Sequence, residues 1–483
     1  MATYGSFPGV RVTTESGGIQ AVSIGEEEKL VFFGEANYVV NGAGDGLAVE
    51  GDEATLDVSA NEPEQINAPR VADLKFGAGT ELAEAMKESL GNGANLDFLY
   101  GVPVARKVVE AEEQTTVTGT LDNVEIVENT GDPVDLGAGD VNDFGIDVAD
   151  SGGNLLVELR YDGAPASPDA DSGMVYVNPL SGEFAADPSA TTPLTFDYTY
   201  NDYAGAFEAS GPQNVVNEDE TGIFFALSDS DSVSADLNNV VGSLRNDYQL
   251  VNALSFAEPN DNEVFEDAQT SDENGGADAR FDTANYTKGS VSAAYYYKFA
   301  PGRQENEDDT VGGGIGGLFA GNPINDPIYN EVVSGYDALE QQLSKSDADN
   351  LRGEDVIPIR SGGNVRVKGN RSTSFSIADT VAADFWVRRI TDRIILIGKQ
   401  IGDAILGRIN DEETRALAER RIEQEMRSLE SLRLIRPNTP DEQNWSVTAY
   451  EDPTNDDEVN IDIAFSPYGI VKNVDETITV DTN

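Results

Sequence analysis

Residues 356–374 read VIPIRSGGNVRVKGNRSTS, and residues 385–410 follow with FWVRRITDRIILIGKQIGDAILGRIN. In the second stretch Trp386, Ile390, Ile394, Ile397, Ile401, Ile405 and Ile409 recur at steps of three or four, the period of a helix with one apolar face. Arg388, Asp392, Lys399 and Asp403 fall roughly opposite that stripe. Ile395 and Leu396 lie off it, which implies cover on more than one side. A second helix is expected from DEETRALAERRIEQEMRSLESLRLI (411–435), capped by Asn410 or Asp411 and stopped by Pro437 and Pro440. Its apolar positions are Ala418, Ile422, Met426 and Leu429. NWSVTAY (444–450) and EVNIDIAF (458–465) then alternate as the two strands of a hairpin.

The charge of this region sets it apart. Between Arg360 and Arg436 lie 15 of the chain's 31 Lys and Arg, against 11 acids, so the window carries about +4 in a chain of formal charge −57. The remainder carries about −61, and such an asymmetry implies that one face meets a different partner. The acids elsewhere alternate with Val, Ile, Phe and Tyr, which argues against wholesale disorder. An acidic surface of this density suits very high salt, where the Debye length is about 3 Å or less and self-repulsion is screened. A hypersaline environment is the expectation.

Composition excludes much chemistry. The chain has no Cys and no His, so disulfides, thiolate nucleophiles and Ser-His-Asp or Cys-His catalysis are out. No apolar run approaches the roughly 20 residues that span a bilayer, and MATYGSFPGV does not read as a secretory signal. The carboxylate clusters PDADSG (168–173) and SDSDSVSAD (228–236) lack the full ligand order of a calcium loop and read as solvated surface. VGGGIGGLF (311–319) lacks the Lys-Ser/Thr of a phosphate loop and reads as close backbone packing. No catalytic residue, cofactor or metal site is expected, and an enzyme such as a carboxylate-dependent hydrolase is the weakest of the functional readings.

In chain order, residues 1–22 read as an arm bearing the short strand PGVRV, with Val10 and Val12 on one side. Residues 23–110 give a strand near Lys29, a helix near Glu81 and the strand LDFLYGVPV, an α/β alternation that resumes over 205–350 with GIFFALS and AAYYYKFA. Residues 111–204 change to short alternating runs such as NLLVELRY and LTFDYTY, an inserted all-β domain. Residues 351–465 form a C-terminal α/β domain, and 466–483 a second arm in which Val474, Ile478 and Val480 share one face. The fold class expected is therefore α/β (α+β) and multidomain, with extended strand arms at both ends. Terminal strands with apolar faces and no hairpin partner need an acceptor edge elsewhere.

Five stretches carry a resemblance. GNVRVKGNRSTS followed by FWVRRITDRI is similar to the C-terminal signature of contractile tail sheath proteins, in which a strand-borne element precedes a helix with paired arginines and an apolar run. FPGVRVTTESGGIQAVSIGEEEKLVFFGEA (7–36) is similar to the family's opening. FGAGTELAEAMKESLGNGANLDFLYGVPV (76–104), GGGIGGLFAGNPINDPIYNE (312–331) and SKSDADNLRGEDVIPIR (344–360) fall in the expected order. The likeness covers about half the chain and departs at Ser372, where the family more usually has Thr.

The resemblance implies a structural subunit, not an enzyme, of a virion tail or injection particle. Copies would stack as hexameric rings around a tail tube protein, with baseplate and tail terminator proteins at the ends, and would contract to drive the tube through a host envelope. It implies a tube-facing C-terminal domain, with some of Arg388, Arg389, Arg393 and Lys399 turned toward the tube. The competing reading of those residues is pairing inside the subunit. It also implies that the arms, through Val10, Val12, Val474, Ile478 and Val480, complete sheets of neighbouring subunits. Neither nucleic acid binding nor membrane insertion is expected. A halophilic surface-layer or adhesin-type protein would share the acidity and β-content.

Overall fold

Strands covered on both faces read as unbroken apolar runs, and two such runs, KLVFFG and TGIFFA, lie side by side at the centre of a six-stranded sheet. The computed structural model describes residues 28–36, 59–123, 146–160, 165–217, 220–246, 249–256, 296–299, 311–324, 328–336, 357–360, 364–368 and 384–468, with a few isolated residues and short pieces between them. The described chain divides into two compact units. One holds residues up to 321 together with 330–385, and the other holds 322–329 with 386–468. The fold is mixed α/β.

In the larger unit the sheet order is Tyr296–Phe299, Leu250–Phe256, Thr221–Ala226, Lys29–Gly34, Leu99–Pro103, Glu64–Gln65. All neighbours are parallel except the last pair. One face carries Val31, Phe33, Phe224 and Val251, buried with Phe207, Val233, Leu237 and Val241 of the helices Tyr203–Glu208 and Asp231–Asn246. The other meets the helices Pro69–Phe76, Glu81–Gly91 and Gly312–Gly321. Between Pro103 and Tyr203 the chain builds a separate seven-stranded sheet, from Arg106–Gln114 to Leu194–Asn201, over a core that includes Val148, Val175, Phe184, Phe196 and Tyr198.

Helix Gly312–Gly321 is the VGGGIGGLF motif, and its glycines are a packing device. A Cβ on Gly313 would stand 2.4 Å from the Ala85 carbonyl oxygen, and one on Gly317 would stand 2.3 Å from that of Ser89, both on helix Glu81–Gly91. Neither backbone can yield without moving its helix. We expect Gly313→Ala to destabilise the larger unit by about 3 kcal/mol, the upper part of the overpacking range. Denaturant midpoints of the two proteins would check this; an unchanged midpoint would mean the helices are not in van der Waals contact.

One of the two acidic clusters differs from its sequence reading, while PDADSG keeps Asp169 and Asp171 exposed. Ser228, Asp229 and Ser230 of SDSDSVSAD are buried, and the stretch leads directly into helix Asp231–Asn246 instead of forming a solvated loop. The PDADSG turn is organised by Asp187, whose carboxylate accepts the backbone N–H groups of Asp171, Gly173 and Ser189. Those bonds, with that of the Ser189 hydroxyl first among them, hold the Asp187 carboxyl far below the usual carboxylate range. Among the described residues no group of three or more acids could hold a metal ion, and no helix is long and apolar enough to cross a membrane.

Candidate assembly site

The smaller unit begins with helix Phe385–Ile405, whose apolar residues wrap most of its circumference. Ile390, Ile394, Ile395, Leu396 and Ile397 are all buried, so the off-stripe residues find cover too. The helix stops at Ile405, and Gly407 turns the chain at φ 78°, which leaves Ile409 outside the helix and 78% exposed. The stripe expected to run through Ile409 therefore ends one turn early.

That wrapping decides where the basic residues go. Arg388, Arg389 and Arg393 are 2%, 4% and 8% exposed, whereas the resemblance implies that some of them turn toward a tube. Arg388 lies 3.2 Å from Asp392, itself 1% exposed, one turn further along the same helix. Arg389 donates through Nη2 to the Asn322 carbonyl at 2.9 Å, and the Trp386 indole donates to the Ile324 carbonyl at 2.8 Å. The internal pairing weighed as the alternative is what Arg388 makes, because a charge surrounded by this much apolar side chain must be matched within the chain. Lys399 is partly exposed. Val10, Val12, Val474, Ile478 and Val480 lie outside the described residues.

Helix Glu412–Ser431 starts on Asp411, whose side chain accepts the Thr414 N–H at 2.8 Å; that bond holds the Asp411 carboxyl below the usual range. Ala418, Ile422, Met426 and Leu429 are buried along one stripe. The helix closes with Arg433 N–H on the Glu430 carbonyl and Leu434 N–H on that of Leu429, the paired bonds of a left-handed cap. Arg433 holds the left-handed position, φ 60°, that glycine usually takes. Arg433→Gly should therefore stabilise this unit by about 1 kcal/mol, the cost of a side chain there. Thermal unfolding of the two proteins would check it, and a lower midpoint for the glycine variant would contradict it.

Beyond the helix, Trp445–Asp452 and Asn455–Phe465 pair antiparallel. Asp452 closes the turn by accepting the hydroxyl and N–H of Thr454 and the amide of Asn460, bonds that pull its carboxyl down to about 2. Trp445, Ile463 and Phe465 are buried, and the Trp445 indole donates to Glu430 of the helix at 3.0 Å.

The two edges of this hairpin are not alike. On the Trp445–Asp452 side, Asn438 imitates a strand: its Oδ1 accepts the Trp445 N–H and its Nδ2 donates to the Trp445 carbonyl, both at 2.9 Å. Glu419 accepts the Ala449 N–H at 2.8 Å. Trp445 and Ala449 thus point their backbone groups away from the hairpin, so their opposite numbers Phe465 and Ile461, with Ile463 between them, point outward on the other side. No hydrogen bond reaches the backbone of Ile461 or Ile463 from any described residue. Among the described residues one edge is closed by side chains, and the other, beside buried Ile463 and Phe465, receives no partner. Sequence reading found both strands but not this difference, for which Asn438 and Glu419 gave no local signal.

No protein-family model matches the chain, and no curated protein matches it in sequence. Solved structures do. One is the helical sheath of the anti-feeding prophage in its contracted state, with 11% identity over 99% of this chain and 100% of that one, at a TM-score of 0.54. Another is a chain of the six-fold symmetrised baseplate of the same particle, with 10% identity over 99% and 100%, at a TM-score of 0.51. The structural neighbours of this protein are contractile sheath proteins, and its described residues share their mixed α/β fold.

Proposed function

We propose that the chain is the structural subunit of a contractile tail sheath, polymerising as stacked rings around a tail tube and shortening to drive the tube through a host envelope. The observation that carries the reading is the open edge at Ile461 and Ile463, next to an edge closed by Asn438 and Glu419, in a fold matched along its whole length by a helical sheath. An edge left open in a soluble protein invites another strand, and the sequence offers two, around Val10 and Val12 and around Val474, Ile478 and Val480. The partners are other copies of the chain, the tube protein, and the baseplate and terminator proteins at the two ends.

In this reading the domains are the arms 1–22 and 466–483, a middle α/β domain (23–110 and 205–350), an inserted β-rich domain (111–204) and an inner domain (351–465). The tube contact belongs to the inner domain, with Lys399 the best placed of the four basic residues named for it. With no catalytic machinery called for, contraction draws on energy stored at assembly: the extended sheath is kinetically trapped and relaxes to a lower minimum.

The charge of −57 supports a hypersaline working environment. Screening shortens the Debye length to about 3 Å at 1 M salt from about 10 Å at 0.1 M, so polymer should pellet at molar salt and dissociate on dilution. Sedimentation across that range is the test. A monomer at every salt concentration would overturn the sheath reading, and polymer unchanged at 0.1 M would overturn the hypersaline one.

A further inference from the structure

The arginine excess of the C-terminal region is only partly used inside the chain. Arg408, Arg420, Arg421, Arg427, Arg433 and Arg436 are exposed. On helix Glu412–Ser431 the charges are partly sorted by sign. Glu412, Glu419, Glu423 and Glu430 fall on one flank, where Glu419 and Glu430 bond the hairpin. Arg420 and Arg427, two turns apart, stand opposite the buried stripe with Glu413 beside them, and Arg421 lies on the far flank with Glu425. Their engagements are slight. Arg427 is 3.8 Å from Glu423 with side chains 71% and 42% exposed, and Arg420 donates to its own helix at Ala416. Arg408, Arg421, Arg433 and Arg436 make no ion pair among the described residues.

Two further observations separate this face from an ordinary solvated one. Arg433 occupies a left-handed position where glycine would be more favourable, yet its side chain has no partner among the described residues. Arginines also stand near both ends of the open strand: the Arg436 N–H bonds the Ser466 carbonyl at 2.8 Å, and Arg408 is two residues from Asn410, whose amide holds the Glu458 carbonyl. Attraction of Arg433 and Arg436 to the helix C-terminus would account for those two. It does not account for Arg408, Arg420, Arg421 or Arg427.

We propose that this arginine face is a docking surface for the acidic surface of a neighbouring copy of the same chain, an inference that rests on the polymer reading above. The occupant follows from charge. Outside residues 360–436 each copy carries about −61, so a neighbour always presents carboxylates, whereas a nucleic acid must approach a body of −57. Arginine is the suited residue: its planar fork binds a carboxylate through two hydrogen bonds, a contact-range interaction that persists when the Debye length falls to about 3 Å. The face then sets which way neighbours approach, while strand addition holds them.

The test compares full-length wild type with R420E/R427E and with the triple variant N67D/R70E/S151D, which makes the same change in net charge at exposed positions elsewhere. At a salt concentration where wild type polymerises, R420E/R427E should need roughly tenfold more protein to form polymer, the triple variant should track wild type, and R420K/R427K should fall between. Equal behaviour of R420E/R427E and the triple variant would overturn the proposal while leaving the sheath reading in place. A wild type that never polymerises would overturn both. Wild type retaining a labelled DNA oligonucleotide that R420E/R427E does not retain, with polymerisation unaffected, would assign the face to nucleic acid and overturn it as well.

Discussion

Ile461→Pro should leave a folded, soluble protein that no longer polymerises. The Ile461 N–H points away from the hairpin and has no partner in the described chain, so proline there removes no bond of the hairpin itself. What it removes is a donor at the open edge. A strand added alongside loses that bond and has a carbonyl left unsatisfied. At about 1 kcal/mol for the bond and about 2 for the orphaned group, the loss is on the order of 3 kcal/mol per junction, roughly a hundredfold in each association constant. Repeated through a polymer, that abolishes assembly at working concentrations. Asn460→Pro is the control, because Asn460 sits opposite Tyr450 at a hydrogen-bonded pair and its substitution breaks the hairpin. Circular dichroism with sedimentation separates the cases: Ile461→Pro folded and monomeric, Asn460→Pro damaged. Ile461→Pro that assembles like wild type would show that the edge receives no strand.

The second large effect concerns the donors. Removing residues 1–18, or residues 471–483, should yield soluble monomer with the unfolding transition of the full chain, since in the proposed assembly only donated strands are lost. Each deletion alone should abolish polymer, because in the proposed assembly each arm makes its own class of junction between copies. Sedimentation and thermal unfolding of both truncated proteins decide it. Regular polymer from either one, or outright unfolding, would place that segment in its own subunit's core.

What the sequence made legible was whatever a local pattern dictates. KLVFFG and TGIFFA are unbroken apolar runs and became central strands; the buried stripe of Ala418, Ile422, Met426 and Leu429 lies where its period puts it. LVNALSF, which is the strand Leu250–Phe256, escaped because Asn252 and Ser255 interrupt the run. Both are buried nonetheless, and the Ser255 hydroxyl lies 2.6 Å from that of Ser234. Helix Asp231–Asn246 escaped because its Ser- and Asp-rich start resembles a surface loop, although Val233, Leu237, Val241 and Leu244 keep a helical period behind it.

The candidate site was less legible. On sequence alone Arg388 and Arg389 stay between tube contact and internal pairing, because a two-dimensional stripe cannot show that the helix around them is covered on nearly every side. The arginines that reach solvent, Arg420 and Arg427, lie on the next helix. The difference between the hairpin's edges depends on Asn438 and Glu419, residues distant from the strand pattern that happen to fold against one side of it.

Electron microscopy of the purified full-length chain in molar salt tests the central claim most directly. The account predicts hollow helical tubes of stacked rings, with a lumen wide enough to hold a tail tube. Flat two-dimensional lattices or dispersed monomers under the same conditions would contradict it, and lattices would favour the surface-layer reading in its place.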